Sequence, residues 1–229
     1  MMKVESLKNV SRTDNWRICL YGKPGVGKTS AVRFLKGKTL ILALDNSAKV
    51  LGGSDIDVIE FNRNHPEGEI NEFVKEAPSL AKGYDNLVID NISSFEKDWF
   101  TYMGRQSKNG ISNEIQDYSK WTNYFTRLIS AIYQLPVNIL VTAWEKQTPI
   151  QTASGQQFNQ YAPNIRDSVR DTFMGLTDLV ARMIIKPSDG ERGVVMEGDD
   201  SMFAKNRLDN RKGAKIEELF NFENSDADV

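Results

Sequence analysis

Gly22-Lys23-Pro24-Gly25-Val26-Gly27-Lys28-Thr29 meets the pattern G-x-x-x-x-G-K-[ST] at every fixed position. Each residue type has a physical task in that pattern. Glycines let backbone N–H groups close around an anion with no Cβ in the way. A helix opening just after the loop adds free N–H groups and the positive end of its dipole. The Lys28 ammonium is then expected to reach the β- and γ-phosphates of a nucleotide, and the Thr29 hydroxyl to ligate Mg²⁺. The flanks agree. Trp16 to Tyr21 is a short apolar run that predicts a buried strand. Lys28 to Lys36 carries Ala31, Val32, Phe34 and Leu35, which predicts a short helix. Gly22 through Thr29, with Ser30, form the candidate nucleotide-binding set.

Further along, Leu87-Val88-Ile89-Asp90 reads as an apolar strand with an acid at its C-terminal end. Open α/β sheets bind ligands at that edge. Asp90 is therefore the candidate second carboxylate, holding Mg²⁺ through its water shell. Two more short strands are expected between the loop and Asp90, at Thr39 to Leu44 and Ile56 to Phe61, with a helix from Glu69 to Lys82 that Pro78 disturbs. Beyond Asp90, Ser94 is a plausible N-cap for a helix to about Gln106. Trp121, Phe125, Leu128, Ile129 and Ile132 have helical spacing within 117–135, and Asn138 to Ala143 reads as a strand. The stretch 147–163 is polar without apolar period and reads as a long loop. A helix over 164–176 and strands at 179–185, 193–196 and 202–204 complete the reading. Alternating strands and helices predict an α/β fold, a mainly parallel sheet flanked by helices, with a C-terminal β meander.

The chain has 229 residues, 40% hydrophobic and 26% charged, which suits one large domain over 16–220. Residues 1–15 are expected to be a loose arm and the acidic 221–229 a disordered tail. A net charge of −2 means that nucleic-acid binding has to come from a local patch. The one cysteine, Cys19, lies in an apolar run and reads as a packing residue in a reducing, cytoplasmic setting. The longest apolar stretch, 128–144, is broken by Gln134, Pro136 and Asn138, so no membrane span is expected. His65 stands alone in a polar loop and supports neither a metal cluster nor a triad.

With this loop, this acid and this order of strands, residues 16 to 210 resemble the RecA-like branch of P-loop ATPases. More closely, the short chain is similar to phage-encoded RecA-like ATPases that act in single-strand annealing or recombination. The resemblance implies a strand inserted between the loop strand and the Asp90 strand. It also implies ATP with Mg²⁺ as cofactors, since no guanine-reading motif is present. By similarity, Lys205 and Arg207 in Phe203-Ala204-Lys205-Asn206-Arg207 would be cations reaching the γ-phosphate of a neighbouring subunit in a ring or filament. A solvated basic turn balancing Asp199, Asp200 and Asp209 is the other reading. The catalytic glutamate of such enzymes is missing from Leu44-Asp45-Asn46-Ser47, leaving Asp45 or Glu145 to activate water.

The resemblance further implies single-stranded DNA, and with it a single-strand-binding protein, as partners. The matching segments are 104–114, with Arg105 and Lys108, and 146–170, with Lys146, Tyr161, Arg166 and Arg170. If the chain is phage-encoded, the compartment is the cytoplasm of a bacterial host. Two further readings stay open: a motor or loader of the wider RecA/AAA group acting on a protein partner, and a small-molecule kinase.

Overall fold

A computed structural model describes residues 6, 8, 10–151 and 155–222. Part of the expected arm (1–5, 7 and 9), three residues of the polar stretch (152–154) and most of the acidic tail (223–229) lie outside the described residues. The strands are β1 (Arg17–Gly22), β2 (Thr39–Ala43), β3 (Ile56–Glu60), β4 (Asn86–Asp90), β5 (Asn138–Gln151), β6 (Gln157–Pro163), β7 (Leu179–Ile185), β8 (Arg192–Val195), β9 (Lys205–Asn206) and β10 (Gly213–Lys215). The helices are α1 (Pro66–Leu80), α2 (Ile92–Gln106), α3 (Ile115–Tyr133) and α4 (Asp167–Leu176).

The sheet runs β10-β8-β7-β1-β5-β4-β2-β3. From β7 to β3 every neighbouring pair is parallel, and β8 and β10 continue antiparallel as the meander. The inserted strand is β5, which separates β1 from β4 as the resemblance implies. Strands β2 and β4 are buried at every position, which explains their unbroken apolar runs. All four helices pack on one face, where Phe95, Trp99, Trp121 and Phe125 form an aromatic core. The other face is covered by the 3₁₀ turn Ser30–Phe34 and the C-terminal residues Ile216 to Phe220. Cys19 is fully buried, and burial pushes its thiol upward, consistent with a packing role. Among the described residues no helix is long and apolar enough to cross a membrane.

Several elements differ from the sequence reading. The segment after the loop forms only a five-residue 3₁₀ turn, because Leu35 is already extended and β2 begins at Thr39. Helix α1 starts at Pro66, where a proline at N1 loses no hydrogen bond, so it begins before Glu69. Asn91, not Ser94, caps α2, its side chain accepting from Ser93 N. A capping box between Glu114 and Asp117 starts α3. The largest correction concerns 147–163. It is not a structureless loop: β5 runs on to Gln151 and turns back as β6 in an antiparallel ribbon. Cross-strand pairs such as Ile150 with Phe158 hold it, and these are too few to give a visible period. At 202–204 the expected strand is displaced to Lys205–Asn206. Phe222, placed in the tail, instead packs on Trp16 and under the Arg211 guanidinium.

Trp121 is fully buried among Phe95, Trp99 and Phe125. Trp121→Ala is expected to destabilise the fold by about 3–5 kcal/mol. A chemical-denaturation midpoint equal to that of the unaltered chain would contradict this packing.

Candidate nucleotide-binding site

Strand β1 ends at Gly22 and the loop turns at once, with Gly25 and Gly27 at φ of 77° and 109°. A side chain at either position would be strained. At Gly27 the approach is also close: an added Cβ would lie 3.1 Å from Nε of Arg192. That same Nε donates to Val26 O at 3.0 Å, so Arg192 of β8 pins the loop from the meander side. Lys28 is 6% exposed and donates to Gly22 O at 2.9 Å and Lys23 O at 3.0 Å. Burial lowers the pKa of its ammonium, against the raising influence of Asp90, Glu145 and Asp45. The amine is thus held inside the loop, facing three carboxylates.

Asp90 lies 1% exposed at the end of β4. Its Oδ2 accepts from Thr29 Oγ1 and from Ser47 Oγ, each at 2.8 Å, and these two hydroxyls are 3.1 Å apart. Its Oδ1 accepts from Thr142 Oγ1 of β5. Burial raises the pKa of Asp90 most strongly, while the three hydroxyl bonds oppose the rise. Loop, β2 turn, β4 and β5 therefore meet at one carboxylate. This donor set of hard oxygens around a buried acid fits Mg²⁺, with Thr29 and Asp90 as the residues to hold it. Ser47 was not singled out from sequence. It reaches the site because Asn46 adopts a left-handed conformation, φ 60°, and Ser47 N bonds back to Asp45 Oδ1 at 3.0 Å.

The two candidates for water activation stand differently. Asp45 is partly exposed, and among the described residues its side chain accepts one hydrogen bond, from Ser47 N. Glu145 is tied to Arg182 of β7, whose Nε donates to Oε2 at 3.0 Å and Nη2 to Oε1 at 3.5 Å. The Arg182 guanidinium also lies 3.5 Å above the Tyr161 ring. Glu145 and Arg182 line a cavity of about 370 Å³ with Lys23, Pro24, Gly25 and Val26 of the loop.

Lys205 and Arg207 stand together, both donating to Gly175 O at 3.1 and 3.2 Å. They are not beside the loop of their own chain. β9 pairs with Leu179 and Val180, the end of β7 that lies level with Ile18 and Cys19. The residues read as DNA contacts are spread over the C-terminal end of α2 and the turn after it, the N-terminal end of α4, and the ribbon. Lys146 pairs with Asp167 at 2.6 Å, and Arg170 pairs with Asp167 at 2.7 Å. Arg166 stacks on Tyr118 and Phe100, and Tyr161 lies under Arg182. Arg105 and Lys108 are exposed, Arg105 with one long contact of 3.5 Å to Asn64. Among the described residues no group of His, Cys, Asp and Glu forms a separate metal site.

Ser47→Ala removes one of three hydroxyls that orient Asp90. The expected result is a Mg²⁺ requirement for nucleotide binding raised about tenfold, read by calorimetric titration at stepped metal concentrations. An unchanged metal requirement would show that Ser47 only fills space.

Comparison with known proteins finds a family match. A family model described as an AAA domain matches residues 14–208. No curated protein matches the sequence. Among solved structures, a KaiC-like protein of the hyperthermophilic archaeon Pyrococcus horikoshii OT3 is similar at 16% identity with a TM-score of 0.47. That likeness covers 80% of this chain and 78% of that one. With the loop 22–29 at the carboxyl edge of a parallel sheet and a family match over most of its length, this chain belongs to the AAA domain family and carries a P-loop NTPase fold.

Proposed function

We propose that this chain is a Mg²⁺-dependent ATPase that works as a homo-oligomer, a ring or a filament, on single-stranded DNA during recombination or annealing. The observation that carries the ATPase reading is the joining of loop and acid through Thr29 and Asp90 at 2.8 Å. In this reading the loop amides and Lys28 hold the polyphosphate, and Thr29 and Asp90 hold the metal. Mg²⁺, when bound, would neutralise charge on the phosphate oxygens. Asp45 is the carboxylate that accepts the proton of the attacking water, because Glu145 is engaged by Arg182.

Assembly is supported by the position of Lys205 and Arg207. Two cations at the far end of β7 from their own loop have a use if they reach a neighbour's γ-phosphate. Burial, with Arg207 nearby, lowers the Lys205 ammonium to about 8. The DNA reading is supported by the amide-rich ribbon, where Gln147, Gln151, Gln157 and Asn159 are exposed next to the nucleotide edge. One observation favours a protein partner instead: Lys146 and Arg170 are matched by Asp167, which leaves little free positive charge there.

ATP turnover with and without single-stranded DNA, with gel filtration in a non-hydrolysable analogue, tests the reading. Stimulation by DNA together with nucleotide-dependent assembly is expected. Assembly with no response to DNA would move the substrate to a protein partner, and no turnover under any condition would end the ATPase reading. Arg207→Ala should remove most turnover while sparing nucleotide binding. Turnover that depends on Lys205 needs its charged form, so it should fall as pH rises through about 8. Lys205→Arg should abolish that fall, and an unchanged profile would remove Lys205 from the reaction.

A further inference from the structure

One carboxylate oxygen holds two cations where the β5–β6 ribbon meets α4. Asp167, the first residue of α4, places its Oδ1 2.6 Å from Lys146 Nζ and 2.7 Å from Arg170 Nη1. The three side chains are not equally covered. Lys146 is 25% and Arg170 15% exposed, whereas Asp167 is 66% exposed. The carboxylate is thus the solvent-side member, lying over two better-covered cations.

Neither cation depends on Asp167 alone for its place. Lys146 Nζ also donates to Ile165 O at 3.0 Å, and Lys146 is paired with Ala162 across the ribbon. Arg170 lies within α4, and its Nε also meets Asp171 Oδ1 at 3.3 Å. Next to them the Arg166 guanidinium lies 4.5 Å from the centre of the Tyr118 ring. Glu96 is the other acid beside this group, where it accepts from Arg166 N at 2.9 Å, and burial raises its pKa. Without the Asp167 carboxylate, an ammonium and a guanidinium would remain side by side at the foot of an amide-rich ribbon.

A phosphodiester oxygen would meet an ammonium and a guanidinium at such distances. Resting on the reading of single-stranded DNA as the substrate, we propose that Asp167 is a built-in competitor of the DNA backbone. Its carboxylate occupies the place of a phosphate oxygen between Lys146 and Arg170, and DNA binds there by displacing it. The pairing that leaves little free charge at the ribbon is then a reversible one. Displacement costs little, because solvent-exposed ion pairs are weak. The competitor is present at neutral pH, since the hydrogen bond from Lys146 above all lowers the pKa of Asp167. Being part of the chain, the displaced carboxylate stays near the phosphate and repels it. A protein that pairs strands has to release them, and a resident anion at the contact serves that release.

The test is fluorescence anisotropy of a labelled oligothymidylate, titrated with the full chain at stepped salt in the presence of Mg²⁺ and a non-hydrolysable ATP analogue. Asp167→Asn keeps the size of the side chain and removes its charge. It should tighten DNA binding about tenfold at low salt, the scale of one like charge near a surface phosphate contact. The slope of log affinity against log salt should steepen by about 0.7 for each cation released. Adding Lys146→Ala to Asp167→Asn should remove most of the gain. Glu72→Gln takes the same charge from an exposed position on α1, outside the cluster, and should stay within about twofold because distant surface charges are screened. Binding by the unaltered chain that Asp167→Asn leaves unchanged, or an equal gain in Glu72→Gln, would overturn the inference and leave the DNA reading standing. No binding by the unaltered chain or by Asp167→Asn would overturn both.

Discussion

A single buried carboxylate ties the nucleotide edge together. Asp90 accepts hydroxyl hydrogens from Thr29 in the loop, Ser47 in the β2 turn and Thr142 in β5. A buried acid without such partners would cost several kcal/mol or lose its charge. Supplied with three, it becomes the point where four separate segments must agree in position. The parallel sheet is what makes this possible. The parallel parts of β1, β4 and β5 all run toward one edge, so residues 43 to 61 positions away in sequence reach Asp90 within hydrogen-bond distance.

The same edge shows a division of labour between two acids. Asp90 is surrounded by hydroxyls and Glu145 by a guanidinium. The first environment suits a metal with its waters. The second is an ion pair, and breaking a buried pair is costly unless another partner replaces the one lost. That asymmetry is why the proposed mechanism assigns the attacking water to the partly exposed Asp45 and not to Glu145. It also links the phosphate site to the ribbon and the Lys205 segment by a short path of named contacts, through Arg182, Tyr161 and Phe203.

What was legible in the sequence was local. The loop is one contiguous motif, and Asp90 closes a strand of unbroken apolar residues, so both could be placed without knowing the fold. The aromatic spacing along α2 and α3 likewise marked the helix-side core. Ser47, Arg182 and Arg192 could not be found that way. Ser47 needs the left-handed turn at Asn46 to face Asp90. Arg182 and Arg192 reach the loop only because β7 and β8 pair alongside β1, and Arg192 stands 166 residues from its acceptor Val26. The stretch 147–163 was misread as a loop because its exposed positions carry amides and its inner face holds few apolar residues. The helix expected after the loop shrank to a 3₁₀ turn because only a few residues separate it from β2.

The account stands or falls on whether the loop and Asp90 form one metal-dependent phosphate site. Calorimetric titration of the purified chain with ATP, once with Mg²⁺ and once with a chelator, measures this directly. Saturable one-site binding that tightens at least about tenfold with the metal, and loses that tightening in Asp90→Asn, is the expected result. Binding of equal strength with and without Mg²⁺, or tightening that survives Asp90→Asn, would contradict it.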